Sequence, residues 1–192
     1  ISNSNCITAL TSLSNSITIT IGTNLSPTFN VKNEICEGEN YSLPTVSNEG
    51  LSGVWSPAIN LKETKTYTFT PSVLNCYTTK VITLVVNPLP VVNSTVMTNN
   101  VCNNSATDIQ LTSNTPNTSF SWKANPTNNV TGASDGNGLK IAQLLQLSGN
   151  IPGDVDYVIT PTANMCVGLP LKVTLTVYPV VQPSVSIEVT NM

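Results

Sequence analysis

Histidine and arginine are absent from this chain, and its seven basic residues are all lysine. Without histidine, the commonest general base and the commonest metal ligand are missing. Neither a Ser-His-Asp nor a Cys-His site can be assembled from what remains. Carboxylates and lysines are left for other chemistry, yet only 17 residues carry charge and none of them converge in sequence. No catalysis and no cofactor are expected. The net charge of −3 offers no basic face to neutralise phosphates, so nucleic acid is not an expected partner. Long apolar runs are missing too; about 18 consecutive apolar residues would be needed for a spanning helix.

Serine, threonine and asparagine are abundant instead, 72 of the 192 residues. Serine and asparagine compete for the backbone and disfavour helix interiors. Threonine, valine, isoleucine and tyrosine fit a half-buried pleated surface. With 40% hydrophobic residues and little net charge, the composition is the reverse of a disordered chain. The chain opens at Ile1 without a methionine or a charged-then-apolar leader and stops at Val189-Thr190-Asn191-Met192 in mid-pattern. An internal fragment of a longer polypeptide is the expectation.

Two blocks repeat the same landmarks in the same order. The first runs Cys36, Leu43, Trp55, Tyr67-Thr68-Phe69-Thr70-Pro71, Cys76 and Thr83 through Pro88. The second runs Cys102, Leu111, Trp122, Tyr157-Val158-Ile159-Thr160-Pro161, Cys166 and Thr174 through Pro179. Tryptophan follows the first cysteine by 19 residues in one block and by 20 in the other, and proline precedes the second cysteine by five in both. A partial copy, Cys6 and then Ser16 through Gly22, matches the closing cysteine-plus-strand. The domains read from these landmarks are 1–24 (closing strands of a preceding domain), 25–89, 90–180, and 181–192 (the opening of a following one).

Period-2 alternation marks the strands: Ile17/Ile19/Ile21, Tyr67/Phe69, Ile82/Leu84/Val86 and Val173/Leu175/Val177. Turn residues bound them at Ser56-Pro57, Pro71-Ser72, Asn87-Pro88 and Gly149 through Asp154. Short strands at regular spacing predict an all-β chain of tandem sandwiches. Leu139–Leu147 alone has a helical look, but is too short to stand as a helix and is read as strand.

Position within the repeat predicts disulfides Cys36–Cys76 and Cys102–Cys166, leaving Cys6 unpaired in this segment. Each bridge is worth about 4 kcal/mol by loop closure, which matters for a first block of about 60 residues, a marginal size. Trp55 and Trp122 stand at equivalent positions. They are either sugar-stacking platforms or core residues between two sheets, and their equivalence favours the core, with Tyr67 and Tyr157. Asp135-Gly136-Asn137-Gly138 lacks the ligand alternation and closing glutamate of a calcium loop and reads as a turn. Asp154 and Asp156 share a strand face, and Glu34, Glu37 and Glu39 surround Cys36 as a solvated loop. Neither these groups nor the cysteines have the spacing of a metal site. Six Asn-x-Ser/Thr sequons begin at Asn24, Asn40, Asn93, Asn103, Asn117 and Asn129, as expected by chance in so asparagine-rich a chain.

Cys36-Glu37-Gly38-Glu39, Leu43-Pro44-Thr45-Val46, Gly53-Val54-Trp55-Ser56-Pro57-Ala58 and Tyr67 through Pro71 resemble an immunoglobulin-like repeat of Bacteroidetes surface proteins. Gly138-Leu139-Lys140-Ile141, Leu144-Leu145, Pro152-Gly153 and Tyr157 through Cys166 resemble the PKD-like module of the same proteins. Together these cover residues 25 to 180. The resemblance implies tandem Ig-like and PKD-like β-sandwiches joined by short proline-containing linkers. It also implies export by the type IX secretion system, display at the cell surface, adhesion and gliding motility. The implied partners are neighbouring repeats of the same polypeptide, the secretion and motility machinery of the outer membrane, and surface polysaccharide. The second cysteine follows the tyrosine-bearing strand, unlike ordinary immunoglobulin domains, which places the expected bridge at one end of the sandwich.

Three functions compete. The leading one is a disulfide-stapled adhesin stalk, stiffened where Asn87-Pro88-Leu89-Pro90 and Tyr178-Pro179 restrict the backbone. A glycan-binding module would need exposed aromatics, few of which remain once the core is assigned. Accessory β-domains of a large secreted hydrolase would differ from the first only in the flanking sequence.

Overall fold

The computed structural model describes residues 24–73 and 77–180, together with strands β1 (Ile7–Leu13) and β2 (Ser16–Ile21). Cys6, Cys76 and residues 181–192 lie outside the described residues, so the Cys36–Cys76 bridge, the state of Cys6 and the opening of a further domain fall outside them too. All regular structure among the described residues is β, as the composition predicts. Close contacts divide the chain into two units, Ile1–Pro88 and Leu89–Met192.

In the first unit, β1 and β2 form an antiparallel two-stranded sheet. The remaining strands are β3 (Glu34–Cys36), β4 (Gly53–Ser56), β5 (Lys65–Pro71) and β6 (Lys80–Asn87), ordered β3-β6-β5-β4. Alternation along β5 sends Tyr67 and Phe69 inward with no exposed surface, while the intervening threonines face out. Ile35, Tyr67, Leu84 and Val86 form the centre, with Tyr41, Leu43, Trp55 and Leu61 packed against it. Phe29, Trp55 and Phe69 add a ring cluster with centroids 4.7 to 5.2 Å apart. Such ring pairs are worth about 0.5–1.5 kcal/mol each beyond the area they bury.

The second unit contains β7 (Val92–Ser94), β8 (Thr98–Cys102), β9 (Ser105–Ala106), β10 (Ile109–Ser113), β11 (Ser119–Pro126) and β12 (Val130–Thr131). There follow β13 (Gly136–Asn137), β14 (Lys140–Ile141), β15 (Leu144–Leu147), β16 (Gly153–Ala163), β17 (Cys166–Val167) and β18 (Leu171–Tyr178). One layer is the sheet β13-β11-β16-β18-β8, with β17 paired to β16. Two small sheets, β14-β10-β7 and β12-β15-β9, supply the other. A single core joins the layers. Trp122, Val155, Tyr157, Ile159, Val173, Leu175 and Val177 come from the large sheet, and Ile109, Leu111, Val130, Ile141 and Leu145 from the small ones. Every second residue of the eleven-residue β16 is buried, the pattern of a central strand facing one core. The helical-looking stretch Leu139–Leu147 forms β14 and β15, because Ile141, Leu145 and Leu147 each find this core.

The two units share one closing arrangement. In each, a short early strand runs parallel to the last described strand: β3 beside β6, and β8 beside β18. Cys36 ends β3 opposite Asn87, and Cys102 ends β8 opposite Tyr178. The next amide then donates to the carbonyl of that opposite residue, Glu37 N–H to Asn87 O and Asn103 N–H to Tyr178 O, both at 2.8 Å. A proline follows each time, Pro88 and Pro179.

Candidate functional site

The chemically distinctive residues fall into three groups: cysteines at strand ends, aromatics in the interior and carboxylates on sheet surfaces. Cys36 and Cys166 are disulfide-bonded, whereas Cys102 is a free, exposed thiol. The predicted Cys102–Cys166 bridge is therefore incorrect, and strand register explains why. Cys166 lies opposite Ala163, at the far end of β16 from Gly153. Cys102 lies opposite Tyr178, one residue beyond the Val177–Gly153 pair. Eleven strand residues separate the two levels, about 36 Å at 3.3 Å per residue. A disulfide requires Cα atoms within about 7 Å.

Cys36 sits in a tight turn. Its amide donates to Glu39 Oε2 at 3.2 Å and its carbonyl accepts from the Glu39 amide at 3.0 Å. Lys32 pairs with the same carboxylate. The lysine hydrogen bond, followed by the Cys36 amide, holds Glu39 below the usual carboxylate range. Part of the acidic cluster read as a solvated loop thus braces a disulfide-bonded cysteine.

Neither tryptophan is presented to solvent as a stacking platform. Trp122 is 7% exposed, its ring lies against Gly136, and its Nε1–H donates to Ser134 O at 3.2 Å. Trp55 is partly buried against Phe29 and Phe69, and its Nε1–H donates to Pro44 O at 2.8 Å. Tyr67 and Tyr157 are fully buried in equivalent strands, each with a tethered hydroxyl. Tyr67 donates to Asn60 O at 3.1 Å and accepts from the Asn60 amide at 2.9 Å. Tyr157 donates to Gln143 Oε1 at 2.8 Å, and burial pushes its hydroxyl up to about 12.

The Asp135–Gly138 segment is a strand edge, not a cation loop. Asp135 Oδ1 accepts from the Ala124 amide at 2.8 Å, and the Gly138 amide donates to Phe120 O at 3.0 Å, so the segment completes the hydrogen bonds of β11. Asp154 and Asp156 tie β16 to β18. Thr176 Oγ1 donates to Asp154 at 2.7 Å, Thr174 Oγ1 to Asp156 at 2.6 Å, and Lys172 Nζ lies 2.8 Å from Asp156 Oδ2. Lys172, then Thr174, holds the Asp156 carboxyl below its ordinary value. An ionised carboxylate clamped by a lysine and a threonine is a poor general acid.

Two groups were not singled out in the sequence. Glu49 accepts from the Thr28 amide and hydroxyl and from Ser47 Oγ, and these bonds, Ser47 first, lower its carboxyl to about 2. Gln143 links Ser134, Thr107 and Tyr157. Both are completed by long-range packing, Thr28 on Glu49 and Thr107 and Tyr157 on Gln143, which no local pattern announces. Among the described residues no group of three or more His, Cys, Asp or Glu could hold a metal ion. The depressions are shallow: one of about 470 Å³ lies between the start of β11 and Leu139, and another of about 460 Å³ lies beside Trp122 and Asp135.

Comparison with known proteins gives a family match and matches among solved structures. Residues 99–181 match the model of the PKD-like domain family. The three-domain I9-I11 tandem of titin, a crystal structure, aligns at 16% identity and a TM-score of 0.27, over 68% of this chain and 55% of that one. The chain thus spans little more than half the length of that structure. No curated protein matches the sequence. The second unit, a two-layer β-sandwich, contains the segment that matches the PKD-like domain.

Proposed function

We propose that this chain is a repeat segment of a large cell-surface adhesin, serving as a disulfide-stapled stalk for adhesion to surfaces and for gliding motility. The observation that carries the reading is the shared closing arrangement, in which two successive units end a parallel strand pair on a cysteine and leave it through a proline. Repetition of one architectural device without a convergent site suits a spacer. The PKD-like match to residues 99–181 supports an extracellular module, and disulfides at Cys36 and Cys166 suit an oxidising compartment. The finer reading, a protein of the type IX-exported class resembling the gliding-motility adhesin SprB, rests on the motif resemblance alone. Its partners would be neighbouring repeats and the outer-membrane secretion and motility machinery. Tryptophans engaged in packing leave a direct glycan-binding role without its main instrument.

Protease shaving of intact producing cells tests the proposal. Peptides from residues 25–180 should be released before lysis, and deletion of the parent gene should reduce attachment to glass. Retention of these peptides in the cytoplasmic fraction would overturn it.

A further inference from the structure

The first unit seals part of its core with chain that belongs to no sheet. Residues 26–32, just ahead of β3, form no regular structure, yet Pro27 is buried and Phe29 half-buried. The Phe29 ring packs on Phe69 and Trp55, with centroids 4.7 and 5.0 Å apart. Phe69 has no exposed surface, so Phe29 is part of what covers it.

The attachment is concentrated at one residue. Leu25 O accepts from the Thr78 amide at 3.0 Å and Asn33 O from the Val85 amide at 2.8 Å, one at each end of the segment. Between them, the Thr28 amide donates to Glu49 Oε2 at 3.1 Å and its hydroxyl to Glu49 Oε1. Thr28 also accepts twice from Asn48, at its carbonyl from the amide at 2.9 Å and at its hydroxyl from Nδ2 at 3.0 Å. Lys32 adds an amide bond to the Tyr41 hydroxyl at 3.0 Å and an ion pair to Glu39. Thr28, Asn48 and Glu49 are exposed, and bonds open to water are readily exchanged for water. Beneath them, β5 and β6 share a backbone ladder of five paired positions around the fully buried Tyr67.

We propose that residues 25–33 form a latch that opens ahead of the sheet it covers when the chain is pulled. The use of the latch rests on the stalk reading, since a stalk is what puts tension on the chain. The polypeptide reaches β3 through this segment, so tension on the preceding residues acts on Leu25 and Thr28 before it acts on β3. Its nine residues reach about 30 Å when extended. Opening therefore lengthens the chain, and tension shifts the population toward the longer state. The open state uncovers Trp55 and Phe69 and keeps the β5–β6 ladder, and Thr28 closes it again on Glu49.

Native-state hydrogen exchange on the whole chain tests the latch. The amides of Thr28, Lys32 and Asn48 should exchange together and faster than those of the β5–β6 ladder. Glu49→Gln weakens the closed state and should speed the latch amides about fivefold. Leu84→Val is the discriminating variant, because the closed and open states share that core residue. It should speed the ladder amides about fivefold and leave the latch amides unchanged. In an optical trap, a lengthening of up to about 30 Å should precede unfolding of the first unit. Latch and ladder amides that exchange at one rate, or that Leu84→Val speeds alike, would overturn the proposal. So would traces in which the first unit lengthens in a single step. These measurements on the isolated chain stand or fall separately from surface display, which protease shaving reads.

Discussion

Gly136→Ala is the sharpest probe of the second unit. A Cβ at Gly136 would lie 2.7 Å from Trp122 Cζ2 and 2.9 Å from Cε2, closer than real Cβ atoms approach other heavy atoms. The ring must shift, yet it is buried and its Nε1–H is held by Ser134 O. Overpacking a core costs about 1–3 kcal/mol, and a lost hydrogen bond adds about 1 kcal/mol. Stiffening the unfolded chain returns about 0.5 kcal/mol. The net loss is about 2.5 kcal/mol, or a fall in Tm of about 10–20 °C for a unit of this size. Urea and thermal unfolding followed by tryptophan fluorescence and circular dichroism would measure it. The decisive form is a double-mutant cycle, because Trp122→Phe removes the atoms that clash. In that background Gly136→Ala should cost at least 1 kcal/mol less. Costs that add within about 0.5 kcal/mol would show that the ring and the glycine do not meet, and the account of this edge would be wrong.

The carboxyl of Glu49, lowered from 4.5 to about 2, contributes stability that is complete above about pH 4.5 and lost as pH falls toward 2; Glu49→Gln should flatten the acid limb of a pH-stability curve for the first unit. Tyr157, raised from 10.0 to about 12, should stay protonated when exposed tyrosines ionise, so its contribution is complete below about pH 10 and lost as pH rises toward 12, with its ionisation visible as a late phase in an alkaline absorbance titration. Tyr157→Phe should cost about 1 kcal/mol, the worth of one hydrogen bond, and equilibrium unfolding would record it. In the isolated chain, iodoacetamide without reductant should label Cys102, while Cys36 and Cys166 should take label only after reduction.

Strand content was legible because each alternating run faces one core: Tyr67 and Phe69 in β5, Val173, Leu175 and Val177 in β18, all fully or nearly fully buried. The ambiguous Leu139–Leu147 resolves as strand for the same reason, since its Ile141, Leu145 and Leu147 meet residues more than ten positions away. Trp122 was legible as core through its repeat position. What packs on it, the bare edge of Gly136, was not, because a glycine beside an aspartate reads locally as a turn. The Glu49 clamp needs Thr28, 21 residues away, and the Gln143 network needs Thr107 and Tyr157, 36 and 14 residues away, so neither shows in local sequence.

The misassigned cysteine pair marks where repeat spacing ends and topology begins. Equal spacing established that Cys36 and Cys102 are counterparts, but it could not say which end of a sandwich either occupies. Parallel pairing decides that. Because β8 runs alongside β18, a cysteine at the end of β8 is carried to where β18 finishes, whereas Cys166 precedes the start of β18. An antiparallel opening strand would have reversed this. The same pairing bears on the proposed stalk. Tension applied at the start of β8 and the end of β18 pulls the two strands along their shared axis in opposite senses. The five paired positions from Thr98–Thr174 to Cys102–Tyr178 are then loaded together instead of one at a time.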